Sequence, residues 1–143
     1  MIKPKYFLIA GGAISALISI LHVILAIHPA LYRHISAGQE SALAQMAEQS
    51  SRPTTVATVV LALIFAIWAI YAFSGAGLIH PLPWLRAALI AIGVIYILRA
   101  LFIPTELNMA LNQGYPFRFV VFSTISLVAG LLYLIGIFKQ RAL

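Results

Sequence analysis

The chain contains no cysteine and no aspartate, and its acidic complement is three glutamates, Glu40, Glu48 and Glu106. Without cysteine there can be no disulfide, no thiolate nucleophile and no cysteine-ligated metal. Charge of either sign is scarce: of 143 residues, 8% are charged and 63% are hydrophobic. Soluble domains carry roughly one quarter charged residues, and a soluble core of this size cannot bury so much apolar surface. A bilayer can accept it, because lipid removes the need for a polar exterior. Paired metal ligands are missing too. His22, His28 and His34 are spaced six apart and His80 stands alone, so no HxxxH or HxxH pair shares a helical face. Neither a metal nor a cofactor is expected.

What the chain has is four long apolar runs, at about 6–27, 54–73, 84–103 and 117–138. Each approaches or exceeds the roughly 20 residues that cross a hydrocarbon layer of about 30 Å. The first comes after the basic tail containing Lys3 and Lys5, as a signal peptide would. Its apolar stretch of about 22 residues is longer than the roughly 7–15 of a signal core, and no small-x-small site precedes His28-Pro29, so it is read as a retained membrane helix. Prolines punctuate the other boundaries: Pro53 before the second run, Pro81 and Pro83 before the third, Pro104 after it. Gly75 and Gly77 are expected to let the chain leave the second helix and turn tightly. Residues 28–53 form the longest polar stretch. Within it Leu43, Met46 and Ala47 fall at i, i+3 and i+4, which predicts a short surface helix over 39–49. The resulting fold class is an all-α integral membrane protein, a single membrane domain over 1–143 built as an antiparallel four-transmembrane-helix bundle.

Orientation is set by the basic residues near the span ends, which are retained on the cytoplasmic side. One side carries Lys3, Lys5, Arg86, Lys139 and Arg141; the other carries Arg33, Arg52 and Arg118 together with all three glutamates. Both termini are therefore expected in the cytoplasm of an inner membrane. In a bacterial cell the first loop then faces the periplasm. The formal charge of +6 is spread over these boundaries and forms no patch or stripe, so no nucleic-acid partner is expected.

Helices in lipid approach one another through small and polar residues. The first span offers Gly11, Gly12, Ser15, Ser19 and His22; the second Ala62, Ala66 and Ala69; the fourth Ser123, Ser126 and Gly130. Trp84 reads as an interfacial anchor, and Trp68, deeper in its span, as either packed or pocket-lining. Two ionisable groups lie inside spans, where they are expensive and often functional: His22 and Arg99. At about 1.5 Å per residue, both fall roughly 6–8 Å below the outer boundary. Ser19, Thr58, Tyr96 and Ser123 lie near that depth, and these six are the candidate ligand-binding residues. The competing reading is structural: Arg99 snorkels or pairs with Glu106, and His22 bonds a serine across a helix interface.

The function expected on this basis is a small polytopic inner-membrane protein, non-catalytic, that uses its outer-leaflet polar layer to bind a lipid or other amphiphile, or a partner membrane protein. Its partners are then membrane lipids, with either a homo-oligomer or another membrane protein. Two alternatives stand beside it. One is an oligomeric transporter of ions or small molecules. The other is a membrane enzyme, in which Ser19 and His22 would form a nucleophile–base pair next to Arg99. Orientation is testable directly, because the cysteine-free chain gives a clean background. With Ser41→Cys and Leu143→Cys made singly, an impermeant thiol reagent on intact cells should label position 41 and spare 143; labelling of 143 alone reverses the topology.

Overall fold

A computed structural model of the chain describes residues 2–31 and 51–140, and every regular element among them is helical. Five α-helices occur: α1 (Pro4–Ile27), α2 (Ser51–Gly75), α3 (Leu85–Ala100), α4 (Ile103–Asn112) and α5 (Arg118–Lys139), with one 3-10 turn at Pro29–Leu31. Four segments are long and apolar enough to cross a membrane: Pro4–Ile27, Arg52–Gly75, Leu85–Asn112 and Arg118–Lys139. The surface helix expected over 39–49 lies outside the described residues.

Pro4 occupies the first turn of α1, where a missing N–H costs nothing, and the helix ends where the His28 N–H bonds the Ile24 carbonyl at 2.9 Å, just before Pro29. Neighbouring helices run antiparallel. Ser19 of α1 reaches Ala62 of α2 while Gly12 faces Ala72; Gly11 faces Tyr133 of α5 while Leu8 meets Gly136. On the other side, Gly93 of α3 faces Leu134 and Gly130 of α5 faces Ile97. The helices thus form a square in which α1 packs on α2 and α5, and α3 packs on α5 and, less extensively, on α2. Close approach depends on glycine. A Cβ on Gly130 would sit 3.0 Å from the Gly93 carbonyl oxygen, a backbone atom that cannot step aside.

The end of the third span differs from the sequence reading. The helix of the third span, α3, ends at Ala100, and α4 begins at Ile103 and runs to Asn112 through residues read as loop, so the apolar segment that begins at Leu85 extends to Asn112. Leu101 and Phe102 remain in right-handed helical angles, so α3 and α4 are nearly continuous. The interruption comes from Pro104, whose ring excludes the carbonyl of Ala100 four residues back. The same proline then sits in the first turn of α4 with Glu106, the arrangement a helix start favours.

At the far end of α2, Gly77 has φ +76° and closes a Schellman turn: the Leu78 N–H bonds Phe73 O and the Gly77 N–H bonds Ser74 O, both at 3.0 Å. Gly75 does something else. It remains within α2, and a Cβ there would lie 2.6 Å from Leu89 Cδ1 and 3.0 Å from Leu8 Cδ1, both on fully buried leucines. Only Gly77 serves the backbone turn; Gly75 serves packing. Ser74 holds the loop between α2 and α3, donating to His80 O at 2.9 Å and accepting from Leu82 N at 3.0 Å, while the Tyr71 hydroxyl donates to Pro83 O at 3.3 Å. The run of Tyr, Ser, Gly and Pro in this region is therefore the wiring of one rigid loop.

Candidate functional site

A hydroxyl buried among apolar helices must find its partner inside the protein. At mid-bundle, Ser15 Oγ lies 2.8 Å from the hydroxyl of Tyr96 and 2.8 Å from that of Tyr133, and Tyr133 OH donates to the backbone carbonyl of Trp68 at 3.0 Å. Each hydroxyl has one proton, which fixes the direction of the chain. The Tyr133 proton goes to Trp68 O, so Ser15 donates to Tyr133 and Tyr96 donates to Ser15. Four helices contribute one member each: α3, α1, α5 and α2. All three side chains are buried. Aromatic rings continue the cluster: Trp68 meets Tyr96 edge-on at 5.1 Å and Phe65 edge-on at 5.2 Å, and His22 lies 5.2 Å from Phe65. Trp68 is thereby a packed residue.

The six candidate residues fall into separate arrangements. Tyr96 belongs to the hydroxyl chain. Ser19 donates to Ala62 O at 2.7 Å, tying α1 to α2. His22 donates through Nδ1 to Ile18 O at 2.7 Å on its own helix, and Thr58 donates to Thr54 O at 2.7 Å on its own. Ser123 joins Arg99. No hydrogen bond or ion pair links His22 with Arg99 among the described residues, and the Ser19 hydroxyl and the His22 Nδ1 go to different backbone carbonyls.

Around Arg99 the geometry is compact. Its Nη1 donates to Glu106 Oε1 at 2.9 Å and to Ser123 Oγ at 2.6 Å, and Ser123 in turn donates to Glu106 Oε2. Three helices, α3, α4 and α5, are closed into one triangle. The pairing with Glu106 is the one the structural alternative anticipated. The Arg99 side chain is nevertheless 40% exposed, against 13% for Glu106, and its Nη2 and Nε have no partner among the described residues. At the same end of the bundle, the buried Thr54 Oγ1 lacks a hydrogen-bond partner.

Neither protein-family models, curated proteins nor solved structures contain a match to this chain. The chemistry of the site is therefore read from its own geometry. No group of three or more metal-ligating side chains forms among the described residues.

Sequence reasoning named Ser15, Tyr96 and Trp68 but passed over Tyr133, the largest fully buried side chain among the described residues. The signal was there: Tyr133 continues the face of Ser126 and Gly130 at i+7 and i+3. The directed chain makes a ranking. Tyr96→Phe removes a terminal donor and strands nothing. Ser15→Ala strands the Tyr96 hydroxyl in an apolar site at a cost of about 1–3 kcal/mol. In thermal unfolding in detergent, Ser15→Ala is expected to be the costlier substitution, and adding Tyr96→Phe to it should restore part of the loss. Equal costs with no recovery would refute the assigned direction.

Proposed function

We propose that this chain is a non-catalytic inner-membrane protein, both termini cytoplasmic, that binds an anionic amphiphile through the polar layer at its outer end. Arg99 is the residue that takes the anionic group, and the half-exposed guanidinium with two nitrogens unspent carries this reading. An arginine fork holds a carboxylate or phosphate bidentately, a geometry that lysine lacks. Nη1 is held by Glu106 and Ser123, so the remaining edge of the fork is already oriented for a ligand. The unpartnered Thr54 hydroxyl at the same end is a further polar atom that a bound group or water would satisfy.

The orientation draws support from how the charges gather. Lys139 lies over the Phe7 ring and Gln140 bonds Gly75 O, so the amino-terminal end of α1, the carboxy-terminal end of α5 and the α2–α3 loop share one end, which therefore holds Lys3, Lys5, Arg86 and Lys139. Glu106 stands at the other end with Arg99. Transport through a single copy is not favoured by this geometry, because the buried chain from Tyr96 to Trp68 O fills the middle of the bundle and would have to break. Hydrolysis by Ser19 and His22 has no formed nucleophile–base contact behind it.

Dodecanoate in a neutral detergent is the probe, read as a shift in unfolding temperature, since a ligand that binds only the folded state stabilises it by mass action. Wild type should be stabilised, Arg99→Lys less so, and Arg99→Gln/Glu106→Gln, which leaves no unpaired charge, hardly at all. Glu106→Gln alone should increase the shift, because it leaves the Arg99 charge uncompensated while Ser123 still holds Nη1. A double variant that responds as wild type does would remove Arg99 from the site.

A further inference from the structure

Trp84 is the only non-glycine residue with a positive φ among the described residues, at φ 56°, ψ 23°. A left-handed conformation costs an ordinary residue about 1–2 kcal/mol, and strain of this kind persists only where the surroundings impose it. Here they do. Ser74 grips His80 O and Leu82 N, and Tyr71 grips Pro83 O, so the backbone immediately before Trp84 is fixed from α2. The product of that constraint is not a buried ring: Trp84 is 85% exposed, the highest value among the exposed large hydrophobic residues. A rigid, strained loop that presents an indole outward is built to place it.

Beside the indole lies an open depression of about 560 Å³ lined by Pro81, Leu82, Trp84, Leu85, Arg86 and Ala87. Its walls are apolar apart from one cation. Arg86 is exposed and has no hydrogen-bond, ion-pair or ring partner among the described residues. The lysines at this end are exposed as well, with Lys5 and Lys139 lying over the rings of Tyr6 and Phe7. The one described carboxylate, Glu106, is at the opposite end of the bundle with Arg99.

We infer that the Pro81–Ala87 depression is a binding site for the headgroup of an anionic phospholipid, Arg86 taking the phosphate and Trp84 seating against the glycerol and upper acyl chain. Charge complementarity selects the occupant. A cation at the end of a membrane helix, among others of its sign and without a carboxylate to neutralise it, attracts the anionic lipids of the leaflet, by a factor of about fivefold per cation. The apolar walls and the indole suit an amphiphile at the interface, where tryptophan concentrates, and give a free phosphate nothing to pack on. This site is distinct from the Arg99 layer and stands or falls without it.

Trp68→Phe leaves Trp84 as the sole tryptophan and keeps the Trp68 backbone carbonyl that Tyr133 uses. In phosphatidylcholine nanodiscs, brominated phosphatidylglycerol should quench Trp84 more strongly than brominated phosphatidylcholine at the same mole fraction. Arg86→Gln should lower that preference about fivefold, while Arg52→Gln at the other end leaves it unchanged. Equal quenching by the two lipids, or a preference that survives Arg86→Gln, overturns the site. Native mass spectrometry of the unsubstituted protein beside Arg86→Gln supplies the same decision if Trp68→Phe does not fold: the variant must retain fewer phosphatidylglycerol molecules, and equal retention overturns the site.

Discussion

A proton on a hydroxyl group inside an apolar bundle has to be given to something, and no water is on hand to take it. At mid-bundle Ser15 meets that constraint for three hydroxyls together: it takes a proton from Tyr96 and gives one to Tyr133, which gives its own to the Trp68 carbonyl. Individual hydrogen bonds between membrane helices contribute modestly, about 0.6 kcal/mol on average. The importance of this chain lies in its connectivity. It joins α1, α2, α3 and α5 at one level and so fixes their relative heights. Glycine then decides how near they come: Gly11 admits the Tyr133 ring, and Gly130 admits the backbone of α3 at Gly93. Once the register is set, Arg99 and Ser19 fall one turn beyond Tyr96 and Ser15, and the polar end of the bundle is placed with them.

Much of this was legible in the sequence, because the properties concerned are local. Long uncharged apolar runs announce the spans, prolines mark their limits, and small residues at helical spacing trace faces that turn out to be buried, including Ser15, Ser19, Ala62, Ala69, Ser123, Ser126 and Gly130. What escaped depended on partners distant in the chain. Tyr133 is an ordinary tyrosine until Ser15, 118 positions earlier, is placed beside it. Gly75 looks like a turn residue until Leu8 and Leu89 arrive against it. α4 escaped for a different reason. Pro104 both ends a helix and begins one, and only the first meaning was read from the sequence, although Glu106 two residues later supplies the acidic first turn.

The shared outer layer resolves into parts. Thr58 and the Nδ1 of His22 bond carbonyls of their own helices, Ser19 ties α1 to α2, and Arg99, Glu106 and Ser123 tie the near-continuous α3–α4 segment to α5. Hydroxyls that bond the carbonyl four residues back have no proton left to offer a ligand. Arg99 alone among the six combines a charge, partial exposure and unspent donors. The opposite end of the bundle has the complementary character: cations, an exposed indole and no described carboxylate. Both ends carry more cations than carboxylates among the described residues, but only at the Arg99 end is a cation paired with a glutamate, and the hydroxyl chain through Ser15 lies between the two.

A bundle locked in this way requires one serine to contact both tyrosines at once in a bilayer. Solid-state NMR of protein in lipid, labelled at the Ser15 side chain and at the tyrosine Cζ positions, reads this directly. Magnetisation should pass from Ser15 Cβ to the Cζ of both Tyr96 and Tyr133, with either transfer vanishing when the corresponding tyrosine is replaced by unlabelled phenylalanine. Transfer to only one ring, or to neither, would contradict a single hydroxyl joining the four helices.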